Sequence, residues 1–132
     1  MAIKIGINGF GRIGRLVYKA IRERYDDQLD VVAVNDVGRI KIMAHLLKYD
    51  STYGRFPGHV APREDGFVAD GDEVKVLAER DPARLPWRDL GLDVVVESTG
   101  LFRQRDKANL HLVAGAKDVE LTSSPPFPAE EK

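Results

Sequence analysis

Ile3-Lys4-Ile5-Gly6-Ile7-Asn8-Gly9-Phe10-Gly11-Arg12-Ile13-Gly14 is the stretch from which the rest of the chain is read. Its first six residues alternate apolar and polar positions, the period of a strand, and the alternation stops at a glycine-rich turn. Apolar residues then recur at helical spacing. Ile13, Leu16, Val17, Ala20 and Ile21 form the expected inner stripe, and Arg15, Lys19, Arg22 and Glu23 the outer face. Asp26-Asp27-Gln28 ends this helix, and Val31-Val32-Ala33-Val34 follows as an apolar run without alternation, which suits a strand covered on both faces of a parallel sheet. Strand, helix and strand make one crossover unit.

Further along, residues 42–49 read as a short helix and residues 50–65 as an extended surface loop. Phe67-Val68-Ala69 and Val74-Lys75-Val76-Leu77 flank Asp70-Gly71-Asp72, the turn chemistry of an antiparallel hairpin, with Gly71 supplying positive φ. Val94-Val95-Val96 reads as another buried strand, ending in Glu97-Ser98-Thr99-Gly100, and residues 106–113 as a helix. Glu120 and Thr122 disfavour a buried strand near the C-terminus, and Pro125, Pro126 and Pro128 cannot support a ladder. The expectation there is at most a short strand and then a disordered tail. The fold class is α/β: a mostly parallel sheet with helices on both faces and an inserted antiparallel hairpin. Residues 1–118 are read as one nucleotide-binding domain, incomplete, and residues 119–132 as a divergent tail.

Composition narrows the function classes. A chain of 132 residues with 43% hydrophobic content supports the core of one domain. Its 20 basic and 21 acidic residues balance to a net charge of -1 without a basic block, which argues against nucleic acid or an anionic membrane as partner. No apolar stretch approaches the ~20 residues of a membrane span, and the N-terminus enters the first strand without a basic leader, so a cytoplasmic location is expected. The absence of cysteine removes disulfides, thiolate metal sites and a thiol nucleophile. Glu64-Asp65 and Asp70-Gly71-Asp72 match no calcium loop, and no metal is expected.

The glycines have a mechanism. Gly9 permits the tight turn, Gly11 lets a pyrophosphate approach bare backbone, and Gly14 lets the helix pack closely on the strand. Free amides at the helix start, near Arg12 and Ile13, face the anion, and the helix dipole adds roughly half a positive charge. Asp36 lies 22 residues beyond Gly14, where an acid at the end of the second strand accepts from both ribose hydroxyls. That carboxylate repels a 2'-phosphate, and Val37 and Gly38 separate it from Arg39, so NAD is favoured over NADP.

Separated blocks extend the pattern: Ile7 to Arg15, Val34-Asn35-Asp36, Met43-Ala44-His45-Leu46-Leu47-Lys48-Tyr49-Asp50-Ser51, Glu79-Arg80-Asp81-Pro82, Pro86-Trp87 and Val96-Glu97-Ser98-Thr99-Gly100. Through them residues 3–118 resemble glyceraldehyde-3-phosphate dehydrogenase, an NAD-dependent oxidoreductase family of glycolysis with a Rossmann-type nucleotide domain. The resemblance implies that Asn8, Gly9, Phe10, Gly11, Arg12 and Ile13 wrap the pyrophosphate. It implies that Asp36, with Asn35 beside it, holds the ribose and that Arg80 borders the adenine. It further implies that Ser98, Thr99 and Gly100 line the pocket, that Phe102 closes its side, and that Thr99 is the hydrogen-bonding side chain. Erythrose-4-phosphate dehydrogenase shares much of this pattern but carries Glu where this chain has Asp36, which tilts the resemblance to the glyceraldehyde enzyme.

After Asp118 the match is lost, as a frameshift or a truncated gene would produce. The resemblance places the catalytic cysteine, its histidine base and the phosphate sites beyond this point, so no catalytic residue is expected in this chain. His45, His59 and His111 have no Ser or Cys partner at a recognisable spacing and read as packing or solvent-exposed residues. The leading expectation is an NAD-binding domain inactive alone, whose partners are a dinucleotide and a complementary catalytic fragment or full-length homologue. The alternatives are a free-standing dinucleotide-binding or interaction module, and a non-binding gene remnant with an exposed sheet edge.

Overall fold

The structure is a computed structural model, and it describes residues 2–49, 58–99 and 109–121. The first crossover unit is β1 (Ile3–Asn8), α1 (Arg12–Arg24) and β2 (Leu29–Asn35), followed by α2 (Ile40–Tyr49). Next come β3 (Val60–Pro62), β4 (Gly66–Ala69) and β5 (Asp72–Leu77), and a 3-10 turn at Pro82–Arg84 leads to α3 (Trp87–Leu90). Finally β6 (Val94–Glu97), α4 (Leu110–Val113) and β7 (Asp118–Leu121) complete the described elements. They form one sheet in the order β3-β4-β5-β2-β1-β6-β7. The ladders joining β5, β2, β1, β6 and β7 are parallel, whereas β3 with β4 and β4 with β5 are antiparallel.

The β4–β5 hairpin turns through Asp70 and Gly71, both at positive φ (52° and 86°), the backbone that matches strand twist in a two-residue loop. β3 corrects the reading of residues 50–65 as loop, of which 50–57 lie outside the described residues. Three residues are too few to show a period, and Pro62 is tolerated because the strand lies at the sheet edge. The helix expected over 106–113 is described only as Leu110–Val113, residues 106–108 lying outside the described set. β7 runs in register beside β6 from Asp118↔Val94 to Leu121↔Glu97, and Glu120 is exposed there, β7 being the last strand on that side among the described residues. The tail beyond Leu121 lies outside the described residues.

Two apolar layers flank the sheet. On one face Ile5, Ile7, Val31, Val34 and Val96 pack beneath Tyr18 and Ile21 of α1 and Met43, Ala44 and Leu47 of α2. Phe10, Tyr18 and Phe67 close that layer as an aromatic trio with ring centroids 5.7–6.1 Å apart. On the other face Ala33, Val95 and Leu92 meet Trp87, Leu85 and Ala114. A bulge sorts β2 between these layers. Ile5 pairs with Val31 and Gly6 with Ala33, so Val32 is the extra residue, and Val31 and Val34 reach the same face despite their odd spacing.

The inner face of α1 differs from the expected stripe. Gly14, Arg15, Tyr18 and Ile21 are its buried residues, and Ile13 is 39% exposed. Arg15 donates to the Phe10 carbonyl at 3.1 Å, and Arg22 donates to the Tyr18 hydroxyl and the Ala69 carbonyl. The helix is rotated toward its tyrosine because long cationic side chains can lie along the core and still reach oxygen atoms at its rim.

Candidate functional site

β1, β2 and β6 end together at one edge of the sheet, with Asn8 directly opposite both Asn35 and Glu97. Just beyond these carboxyl ends a cavity of about 360 Å3 opens, lined by Gly9, Gly11, Asn35, Asp36, Val37, Arg80, Ser98 and Thr99. This is where open parallel sheets take their ligands, because the strand order reverses there and leaves a crevice.

Each glycine of the loop has a separate physical requirement. Gly9 sits at φ +95°, and a β-carbon on it would lie 2.7 Å from the Thr99 methyl and 2.9 Å from the Thr99 nitrogen. A β-carbon on Gly14 would lie 2.1 Å from the Gly9 carbonyl oxygen, so α1 approaches the loop only because that atom is missing. Among the described residues, a β-carbon on Gly11 would meet no atom within 4 Å. Nothing among the described residues demands Gly11; the space beside it belongs to the cavity it lines. Gly11 also occupies the N-cap of α1 without a side-chain cap bond, so first-turn amides remain for an anion. The donor set and the open space fit a dinucleotide pyrophosphate.

Asp36 is seated against the loop. Its Oδ2 accepts from the Phe10 backbone N–H at 2.7 Å, and its Oδ1 from the Gly38 N–H at 3.4 Å. A carboxylate has about four acceptor positions, so capacity remains for a pair of hydroxyls. Arg80 also lines the cavity, just after β5, with β2 and β1 between it and the β6 end that carries Ser98 and Thr99.

Gly9, Gly11, Asn35, Asp36, Arg80, Ser98 and Thr99 thus come together at the cavity. The side chains of Asn8 and Phe10 do not: Asn8 is buried under the floor and Phe10 in the aromatic trio, so only their backbone belongs to the loop. Arg12 is exposed at the start of α1, beside the exposed Ile13. Gly100 and Phe102 lie outside the described residues. Two hydroxyls also have partners that sequence did not foretell. Ser98 Oγ donates to the Gly9 carbonyl at 2.7 Å, and Thr99 Oγ1 donates to Glu97 Oε2 at 2.5 Å, so toward a ligand Thr99 offers an acceptor. Val37, a lining residue, carried no motif signal.

The largest omission from the sequence reading is a polar chain beneath the cavity. The buried Glu97 carboxylate takes Oε1 bonds from Asn8 Nδ2 and His111 Nε2, both at 2.7 Å, and Oε2 bonds from the Thr99 N–H and hydroxyl. Trp87 Nε1 donates to His111 Nδ1 at 3.0 Å. An indole N–H is a donor only, so Nδ1 accepts, Nε2 carries the proton, and His111 is a neutral imidazole in this arrangement. Burial alone would raise the Glu97 pKa, but the bonds from His111, Asn8 and Thr99 outweigh it and hold the carboxyl below its ordinary range. Glu97 closes an apolar Val-Val-Val run, and nothing in that spacing marks its partner His111, 14 residues later in α4, or the Trp87 of α3 that donates to His111. His111 is fully buried, whereas His45 and His59 are exposed. Among the described residues no cluster of His, Asp and Glu could hold a metal ion, and no helix is long and apolar enough to cross a membrane.

The family model described as "Glyceraldehyde 3-phosphate dehydrogenase, NAD binding domain" matches residues 3–105. A glyceraldehyde-3-phosphate dehydrogenase of Thermotoga maritima is 58% identical over 120 residues, covering 91% of this chain and 36% of the relative. One of Haemophilus influenzae is 52% identical over 122 residues, 92% of this chain and 35% of the relative. Glyceraldehyde-3-phosphate dehydrogenase 1 of Streptomyces avermitilis is 58% identical over 120 residues, 90% and 35% of the two chains. The chain therefore spans about a third of the length of these relatives.

Proposed function

The chain belongs to the glyceraldehyde-3-phosphate dehydrogenase NAD-binding-domain family, whose cofactor is NAD, and on that premise we propose that these residues perform the dinucleotide-binding half of a phosphorylating aldehyde dehydrogenase. The observation that carries this reading is the contrast between Gly11 and Gly14: one lacks a β-carbon for the sake of the protein, the other for the sake of the space beside it.

In this reading the loop from Gly9 to Ile13 and the first turn of α1 hold the pyrophosphate through backbone N–H groups, with Arg12 at its edge. Asp36, held by the Phe10 amide, accepts from the adenosine ribose, and its charge disfavours a 2'-phosphate. Arg80 borders the adenine, and Ser98 and Thr99 form the opposite wall. Bound NAD supplies a hydride acceptor. These 132 residues contain no cysteine, so the thiolate that an acyl-transfer step needs has no source among them. We assign them cofactor binding without turnover, a catalytic fragment or homologue being the partner that would supply the rest. A cytoplasmic location follows from the same reading.

Calorimetric titration of the chain with NAD, run beside NADP and an Asp36→Ala variant, tests this. Saturable NAD binding, weaker NADP binding and an Asp36→Ala loss of about tenfold or more, the scale of hydrogen bonds to a charged group, are expected. No heat at millimolar NAD would refute the binding assignment and leave a folded remnant.

A further inference from the structure

Three adjacent parallel strands end in polar residues that stand side by side: Asn35 on β2, Asn8 on β1 and Glu97 on β6. Each is buried. Asn35 Nδ2 donates to Asn8 Oδ1 at 2.7 Å, and Asn8 Nδ2 donates to Glu97 Oε1 at 2.7 Å. The chain continues behind Glu97 through His111 Nε2 to Trp87 on the far face of the sheet. In front it ends at two places. Glu97 Oε2 takes both the N–H and the hydroxyl of Thr99, and Asn35 clamps the Glu79 backbone, donating to its carbonyl at 2.8 Å and accepting from its N–H at 2.8 Å. Thr99 is one wall of the cavity; Glu79 immediately precedes Arg80, the other.

A buried carboxylate requires donors whatever its role, and backbone or water would satisfy it. That requirement does not explain why an unbroken run of side-chain bonds crosses three strands and stops at both walls of one cavity. We infer that Asn35, Asn8 and Glu97, braced by His111 and Trp87, form a positioning relay that fixes the separation of the Thr99 and Arg80 walls and so sets nucleotide affinity. The inference rests on the reading of this cavity as an NAD site. The five side chains are positioning residues: Asn35 reaches the lining of the cavity, and Asn8, Glu97, His111 and Trp87 are not among its lining residues. Both asparagines have a fixed amide orientation in the relay, since each must donate from nitrogen on one side and accept at oxygen on the other. A change at one end therefore reorients the next member, and its effect travels.

The test uses the whole chain with Glu97→Gln and Trp87→Phe, the second being remote from the cavity and conservative in packing. Three quantities are read: thermal midpoint, NAD affinity by calorimetry below that midpoint, and the backbone amide signals of Thr99 and Arg80 by NMR. Glu97→Gln is expected to weaken NAD by about tenfold, because it replaces a charged acceptor of four bonds by an amide that must present hydrogens to donors. Trp87→Phe is expected to give a smaller loss and to move the Thr99 and Arg80 signals together. A lowered midpoint with unchanged affinity and an unmoved Arg80 signal would show a merely structural role and overturn the relay. If Glu97→Gln does not fold, Trp87→Phe decides alone by the same criteria. If the unsubstituted chain binds no NAD, the binding assignment fails by itself. The relay is then judged on the amide signals: coupled movement supports it, and movement of Thr99 alone, or of neither, overturns it.

Discussion

Substituting Gly14 and Gly11 separately by alanine separates folding from binding within one loop. At Gly14 two effects oppose each other. Alanine is favoured over glycine inside a helix by about 1 kcal/mol. The new β-carbon, however, would lie 2.1 Å from the Gly9 carbonyl oxygen and 3.2 Å from Ser98 Oγ. Overpacking costs about 1–3 kcal/mol where side chains can adjust, and a backbone oxygen cannot rotate away, so the upper end or beyond applies. The expected net loss is about 2 kcal/mol, or roughly 6–10 °C in Tm for a chain of this size. At Gly11 the β-carbon meets nothing within 4 Å among the described residues, and φ is -79°, which any residue adopts. The small penalty of alanine at an N-cap and the entropy gained by stiffening the unfolded chain nearly cancel, leaving stability within about 0.5 kcal/mol. The same methyl group intrudes where the pyrophosphate is assigned, and an intrusion of about 1–3 kcal/mol weakens NAD by roughly tenfold or more. Thermal denaturation followed by circular dichroism, with calorimetric NAD titration, reads both. A Gly14→Ala chain as stable as the parent would refute the close approach of α1 to the loop. A Gly11→Ala chain with parental NAD affinity would refute the path given to the pyrophosphate.

Other consequences follow from the buried groups. Burial raises the Tyr18 hydroxyl pKa despite the opposing influence of Arg22, so its contribution is complete below the unfolded value near ~10 and is lost as pH rises through the folded one. Tyr18→Phe should flatten the alkaline fall of Tm, and an unchanged fall would contradict this. Glu97 has a lowered folded pKa, so its stabilisation holds above the unfolded value of about 4 and is lost in stronger acid. Comparison of urea midpoints for the parent and Glu97→Gln should show their difference shrinking between about pH 5 and pH 3; a constant difference would count against an ionised Glu97. Phe67 stacks on Phe10 and meets Tyr18 edge-on at the centre of the larger core, so Phe67→Ala should cost about 3–5 kcal/mol in urea denaturation. A loss under about 1 kcal/mol would show that the trio is not a packed unit.

Much of this architecture is local chemistry, which is why the sequence alone determined it. Alternation in Ile3–Asn8, the glycine turn and the unalternating valines of β2 and β6 each depend on a few neighbouring residues, and together they specify a parallel sheet with helices on both faces. Asp70-Gly71 specified the hairpin for the same reason, because a two-residue turn with both residues at positive φ is encoded where it occurs. The glycine loop and Asp36 were legible as a nucleotide motif because their spacing follows from the length of one crossover helix. Features that arise from contact between distant segments were decided only by the tertiary structure. The inward face of α1 turned on where Arg15 and Arg22 could find oxygen atoms, one of them on Ala69, 47 residues from Arg22. The bulge at Val32 exists only relative to β1, and β3 was visible only once β4 lay beside it. The chain from Trp87 to Asn35 joins two helices and three strands, and its Asn8–Glu97 bond links residues 89 apart in the sequence. Hydrogen bonds at such separations leave no periodic trace in a sequence, since a buried carboxylate and an exposed one are written with the same letter, and only folding brings their donors within reach.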